Sequence, residues 1–248
     1  MTSTDLDAAE ARDAAAGGAV KRDYVRRIFS EIAPRYDLLN HLLSFNFDRG
    51  WRARALRALE WTRAPAGTYL DLCAGTLDVA AQLARQDGFA GTVIGADFAE
   101  PMLRAGTGKA PAAVVRPVVA DALSLPLAGE SVDGAVVAFG VRNLVDLDAG
   151  LREVRRVLKP GARFVILEFS TPPSAIVRRM YGLYSEHVLP AVGGAISRHR
   201  TAYRYLPESV KRFPVAEDLA ERIRAAGYLD VRWSPLTFGI AALHIGTR

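Results

Sequence analysis

The chain has 248 residues, half of them hydrophobic and 24% charged, enough for one large domain with a full core, which excludes disorder along its whole length. A single cysteine, Cys73, excludes an intramolecular disulfide framework and an all-cysteine metal cluster, and His41, His187, His199 and His244 are too scattered to suggest a zinc site. The net charge of +5 fits an anionic partner or none, since charge speaks to attraction and solubility more than to fold.

Residues 1–20 lack apolar periodicity and read as a loose tail; their acidic, Ala-rich start has neither a basic n-region nor an apolar h-region, so the cytoplasm is the default compartment. Residues 21–60 read as helices with basic faces: Val25, Ile28, Phe29 and Ile32 recur at helical spacing, Pro34 breaks the pattern, and Arg52 to Leu59 is a second amphipathic stretch. Five short apolar segments follow, at 68–72, 92–96, 114–120, 134–138 and 163–169, alternating with helical patterns at 77–85, 101–106 and 148–158, the last ended by Lys159-Pro160-Gly161. This rhythm predicts an open α/β sheet with crossover connections. Residues 171–212, rich in Pro, Tyr and Arg, interrupt it and read as a helical insertion; a helix at 216–227 and a hairpin of 229–233 with 238–245 close the chain. Charge interrupts every apolar stretch near 18 residues, so no membrane span is expected.

The first chemically suggestive segment is Leu70-Asp71-Leu72-Cys73-Ala74-Gly75-Thr76. A small-residue loop between a first strand and a first helix lets a ligand approach the backbone. Asp97 stands at the end of the second strand, where an acid in a nucleotide-type site accepts hydrogen bonds from ribose hydroxyls, and Asp121-Ala122 stands at the end of the third. Taken singly, each acid reads as a turn or N-cap residue; three in series at successive strand ends point to a ligand site.

Together LDLCAGT, the GADF segment that adds Phe98, and Asp121-Ala122 resemble the S-adenosylmethionine site of class I methyltransferases. Four further segments narrow the resemblance to the menaquinone/ubiquinone biosynthesis C-methyltransferases: Tyr36 to Ser44 (YDLLNHLLS) followed by Trp51, Phe139 to Asn143 (FGVRN), Arg156 to Gly161 running through Glu168-Phe169-Ser170, and Tyr203 to Ser209 (YRYLPES). It spans about residue 21 to the C-terminus. It implies a Rossmann-like fold with a mostly parallel seven-stranded sheet and a C-terminal antiparallel hairpin, in one domain over 21–248, with 21–60 as a helical cover and 171–212 as an insertion. Two departures stand out. Leu77 occupies a position that is often glycine: if the residue needs positive φ, donor binding suffers, and if it is the first turn of the helix, leucine is harmless, the reading favoured here; Ala162 replaces a commoner glycine away from the site.

The resemblance implies S-adenosylmethionine as methyl donor, held by Asp71, Gly75, Thr76, Asp97, Phe98, Asp121 and Ala122, with no metal. The acceptor it implies is a prenylated quinol: demethylmenaquinol, with the corresponding benzoquinol or another small phenol as alternatives. Arg142 is the first candidate on the acceptor side, as a stabiliser of the developing phenolate, against the alternative of a structural ion pair; Asn143 would hold an acceptor oxygen, and Tyr36, with Asp37 and Asn40, would belong to the cover. Asp78 reads as a first-turn helix acid or a second base, His41 and His187 as packed or solvated residues that could carry protons, and Cys73 as a small buried residue. The basic, Tyr-rich insertion would suit peripheral contact with the inner face of the cytoplasmic membrane, or else a solvated face with a homodimer contact. Nucleic acid is not expected as a partner, because the fourth strand ends in FGVRN.

Overall fold

The computed structural model describes residues 19–188 and 200–248. The tail at 1–18 and the insertion residues Pro190, Arg198 and His199 lie outside them, as do the side chains of Leu39, Asn40, Arg200, Tyr203 and Arg204. Three helices come first: α1 (Ala19–Ile32), α2 (Tyr36–Leu43) and α3 (Phe47–Leu59), with Pro34 in a short 3-10 turn between α1 and α2. The alternating body follows as β1 (Thr68–Leu72), α4 (Asp78–Ala84), β2 (Thr92–Asp97), α5 (Glu100–Ala105), β3 (Val115–Val119), β4 (Val132–Ala138), α6 (Leu147–Val157) and β5 (Leu158–Phe169). The insertion contributes α7 (Ala175–Leu183) and α8 (Arg200–Arg212), and α9 (Ala216–Ala225), β6 (Leu229–Leu236) and β7 (Ala241–Thr247) complete the fold.

The seven strands form one sheet in the order β3-β2-β1-β4-β5-β7-β6. The first five are parallel, and β7 joins β5 and β6 in antiparallel pairings. Alternation along each central strand separates two cores. Tyr69, Val136 and Val165 face one side with Leu56, Leu59 and Leu83. Leu70, Val137, Phe164 and Ile166 face the other with Leu151, Val154 and Ile223. Helix α6 shows the local logic: the Asp146 carboxylate accepts the Ala149 N–H at 2.9 Å as its N-cap, and Leu151, Val154 and Val157 form its buried stripe.

The expected stop at Lys159-Pro160-Gly161 ends α6 but is not a loop. The chain turns directly into β5 at Leu158, which pairs with Val132, and a register shift between Val132 and Gly134 absorbs the irregularity. The strand order reverses between β1 and β4, so the loops leaving those two strands, CAGT and FGVRN, stand side by side at the switch point where open α/β sheets bind ligands.

Candidate active site

The loop after β1 is wound tightly: Cys73, Gly75 and Leu77 all have left-handed backbone, with φ of 52°, 52° and 63°. Its N–H groups are tied to β2. Ala74 N–H donates to the Ala96 carbonyl at 3.0 Å, and Gly75 N–H to Asp97 Oδ2 at 2.8 Å, while Asp97 Oδ1 accepts the Ala99 N–H at 2.9 Å. Burial raises the Asp97 pKa, and those backbone donors pull against it. The expectation that Leu77 is an ordinary first-turn residue is corrected: it is the N-cap of α4 in left-handed conformation. That costs a leucine about 1–2 kcal/mol. Its side chain is nevertheless buried over Gly95 and Gly106, where an added Cβ would lie 2.4 Å from Leu77 Cδ2 and 3.0 Å from Leu77 Cγ respectively. Burial of a leucine outweighs strain of that size, so the residue packs inward and leaves the ligand side of the loop clear.

On that side lies a cavity of about 550 Å³, within the range of small-molecule sites. Gly75, Asp97, Phe98, Asp121 and Ala122 line it, together with Cys73, Met102 and Asn143. Burial raises the Cys73 thiol pKa well above its ordinary value, in keeping with an inert residue. Helix α1 roofs the cavity. Arg22 reaches Asp121 at 2.8 Å, and Lys21 Nζ donates to the carbonyls of Arg142 and Leu144, both at 2.8 Å. Burial, with the Arg142 charge nearby, lowers the Lys21 pKa to about 8.

Asp71 and Thr76 are placed elsewhere. Asp71 is buried behind the loop, accepting the Ala80 N–H at 3.0 Å, and burial lifts its carboxyl pKa to about 7. The Thr76 hydroxyl donates to Asp37 on α2. Asp37 also pairs with Lys109, whose ammonium lies 2.6 Å from Asp78; Asp78 in turn takes Arg52 Nη1 at 2.7 Å. Arg52 and Lys109 hold the Asp78 pKa down against its burial. Asp78 is thus committed to a network that fastens the cover helices to the loop.

A second cavity, of about 450 Å³, lies under α2 and α3 and between α1, α7 and α8. Its walls are mostly apolar and aromatic, with Trp51, Phe169 and three insertion tyrosines, Tyr181, Tyr184 and Tyr205. Burial pushes the pKa of both Tyr181 and Tyr205 up to about 12. Arg142 lines this cavity, whereas Asn143 lines the first one and accepts a hydrogen bond from Tyr205 at 3.2 Å. Arg142 is also the buried ion pair weighed against its chemical role. Its Nη1 lies 2.7 Å from Glu168 Oε1 and 2.5 Å from the Phe139 carbonyl oxygen, with both charged side chains buried. Burial works against its charge, and Glu168 beside it more than compensates. Its Nε–H is buried without a hydrogen-bond partner among the described residues.

The two cavities share three walls: Phe29, Tyr36 and Phe139. Tyr36 therefore stands at their junction, as part of the cover. Several contributors were not singled out from sequence as site residues: Phe29, Lys21 and Arg22 on α1, and Asp48 and Arg52 on α3. His41, Ser44 and Asp48 recur at three and four residues, close to the spacing of one helical face, which was the readable signal for Asp48. Among the described residues, no three His, Cys, Asp or Glu side chains converge as a metal site.

The fold and the sequence both have counterparts among known proteins. The fold matches a Thermotoga maritima crystal structure described as a SAM-dependent methyltransferase and possible histamine N-methyltransferase, with a TM-score of 0.60 and 20% identity over 89% of this chain and 98% of that one. In sequence the chain is 50% identical to a demethylmenaquinone methyltransferase of Thermus thermophilus over 224 residues, covering 89% of this chain and all of that protein. It is 42% identical to a ubiquinone/menaquinone biosynthesis C-methyltransferase UbiE of Geobacter sulfurreducens over 232 residues, covering 92% of this chain and 90% of the relative. A profile of one family matches residues 18–248, nearly the whole chain, so this protein belongs to the ubiE/COQ5 methyltransferase family.

Proposed function

We propose that the chain transfers a methyl group from S-adenosylmethionine to a ring carbon of demethylmenaquinol. The observation that carries this reading is the meeting of a polar strand-end cavity and an aromatic-lined cavity at Phe29, Tyr36 and Phe139. The first cavity suits the donor: Asp97 and Asp121 offer carboxylate acceptors at successive strand ends, Gly75 brings backbone close, and Phe98, Met102 and Ala122 supply apolar walls. Bound there, S-adenosylmethionine supplies an electrophilic methyl group on sulfur. The second cavity suits a quinol ring with an isoprenoid tail, and naming demethylmenaquinol rather than the benzoquinol follows the Thermus relative.

A quinol carbon is a poor nucleophile until a neighbouring hydroxyl loses its proton. Arg142, charged and lining the acceptor cavity, stabilises the resulting phenolate. A guanidinium does not accept the proton. Tyr36, Phe29 and Phe139 set the ring against the donor and keep water away from the junction; alignment of this kind supplies about 7–11 kcal/mol of a barrier. Glu168 holds Arg142 in place.

The test is transfer of labelled methyl from the donor to short-chain demethylmenaquinol, in parallel with the benzoquinol. Methylation of the naphthoquinol in preference supports the reading; methylation of neither refutes it. On the donor side, Asp97→Ala should weaken donor binding by about 1.5–3 kcal/mol, the scale of a charged hydrogen bond. Unchanged affinity by calorimetry would remove Asp97 from the site. We also propose contact with a membrane surface through the mouth of the acceptor cavity.

A further inference from the structure

The methylation just described replaces a ring hydrogen by a methyl group. One C–S bond breaks, one C–C bond forms, the sulfonium becomes a neutral thioether and one proton is released. An acceptor for the hydroxyl proton is therefore needed at the quinol. Arginines do not serve as bases, and tyrosines lifted to about 12 are protonated donors at neutral pH. Among the described residues lining the acceptor cavity, one carboxylate remains, Asp48, and no histidine lines it.

Asp48 is built in rather than incidental. It is 2% exposed at the start of α3. Its Oδ1 accepts the Ser44 hydroxyl at 2.6 Å, and its Oδ2 lies 2.9 Å from His41 Nδ1. Each carboxylate oxygen has two acceptor positions, so these contacts fix the plane of the group and leave capacity toward the cavity that Asp48 lines. Ser44 also lines the cavity, while His41 stands behind the carboxylate. The charged groups around it are all placed: Arg52 Nη1, 3.5 Å away, is drawn 2.7 Å from Asp78; Lys109 pairs with Asp78 and Asp37; Arg142, across the cavity, pairs with Glu168.

We propose that Asp48 is the general base of the acceptor cavity, with His41 and Ser44 as its positioning residues. The carboxylate takes the proton of the hydroxyl beside the reacting carbon, leaving a phenolate whose electron pair forms the new C–C bond. The ring carbon then gives up its hydrogen as a proton to restore aromaticity, and the oxygen is reprotonated. The net proton rests on Asp48 until the product leaves and the cavity meets water. Arg142 stabilises the anion, and Asp48 creates it.

The inference rests on the proposed function, and Asp48→Asn separates the two. The variant should lower kcat by about a hundredfold or more, the usual scale of general acid–base catalysis, with donor Kd unchanged. Its rate should climb with pH toward the hydroxyl's own ionisation, near that of a phenol at about 10. An electron-poor quinol that ionises near neutrality should restore it. A naphthol bound with S-adenosylhomocysteine should absorb as the ionised form in the wild type and as the neutral form in Asp48→Asn. His41→Gln and Ser44→Ala, which each remove one contact to the carboxylate, should lower kcat several-fold at neutral pH and recover at high pH; they carry the test if Asp48→Asn does not fold. A wild-type rate and pH profile in these variants, or a loss that neither pH nor acceptor acidity repairs, overturns the base. Wild-type enzyme that methylates no quinol overturns the proposed function and the base with it.

Discussion

Arg142 meets two demands at once, and they can be measured apart. Removing it strands Glu168 as a buried, uncompensated charge, a loss of about 3–5 kcal/mol for pairs of this kind, and takes a donor from the cavity, worth about a hundredfold to a thousandfold in rate. Arg142→Lys keeps the charge but not the planar fork, so it should fold and restore kcat only in part. Kinetics and donor affinity, with unfolding of each variant, check this; near wild-type methylation by Arg142→Ala would end the catalytic role. Asp71 makes the opposite case, a site-adjacent acid whose effect is on stability. Its folded pKa of about 7 lies above its ordinary 3.8 because burial disfavours the anion. The folded state therefore binds its proton more tightly, and this contribution to stability, full at low pH, is lost as pH rises from about 4 to about 7. Asp71→Asn lacks the titration, so the difference in urea midpoint between the two proteins should swing toward the variant across that window. Parallel profiles would place the titration elsewhere.

Helix α1 is the element on which the donor cavity depends. Val25 and Ile28 anchor it beside Tyr205 in a small core of their own, and Lys21 closes it on the carbonyls of Arg142, within FGVRN, and Leu144, just after it. Lys21→Ala should loosen this roof by about 1 kcal/mol, the net scale of exchanging such hydrogen bonds with water, and speed donor release about fivefold in stopped-flow measurements. An unchanged release rate would mean that α1 is not the gate. The element was legible as a helix because Val25, Ile28, Phe29 and Ile32 follow its period, and the central strands were legible as short apolar runs set between helical patterns. What periodicity does not encode is which distant groups meet. The reach of Arg22 to Asp121, the turn of Thr76 toward Asp37 and the placing of Asn143 in the donor cavity are tertiary facts. The left-handed Leu77 was hidden for a related reason: its strain is offset by packing against Gly95 and Gly106, residues 18 and 29 positions away.

The whole molecule presents its acceptor cavity through an apolar rim. Phe45, Met180 and Phe238 line that cavity and are 71%, 68% and 79% exposed. Ile176 and Leu183 extend the same character along α7, which also carries the exposed Arg178 and Arg179. No helix among the described residues is long and apolar enough to cross a membrane. The exposed apolar rim with its arginines is of the kind that suits the proposed surface contact, where apolar side chains enter the interface and arginines meet anionic headgroups. A quinol tail held in the bilayer would then enter the cavity without crossing water. Ile176 and Arg179 lie on the rim and outside the cavity wall, which makes them the clean probes. Burial of an isoleucine contributes about 1.5–3 kcal/mol and an arginine near an anionic surface about 1 kcal/mol. The Ile176→Ser, Arg179→Ser double variant should therefore bind anionic phospholipid vesicles about thirtyfold or more weakly in sedimentation assays. Its turnover of a short-chain, water-soluble acceptor should stay at the wild-type level, while turnover of a long-tailed quinol in vesicles falls. Equal vesicle binding by the two proteins would show that this rim faces something other than lipid.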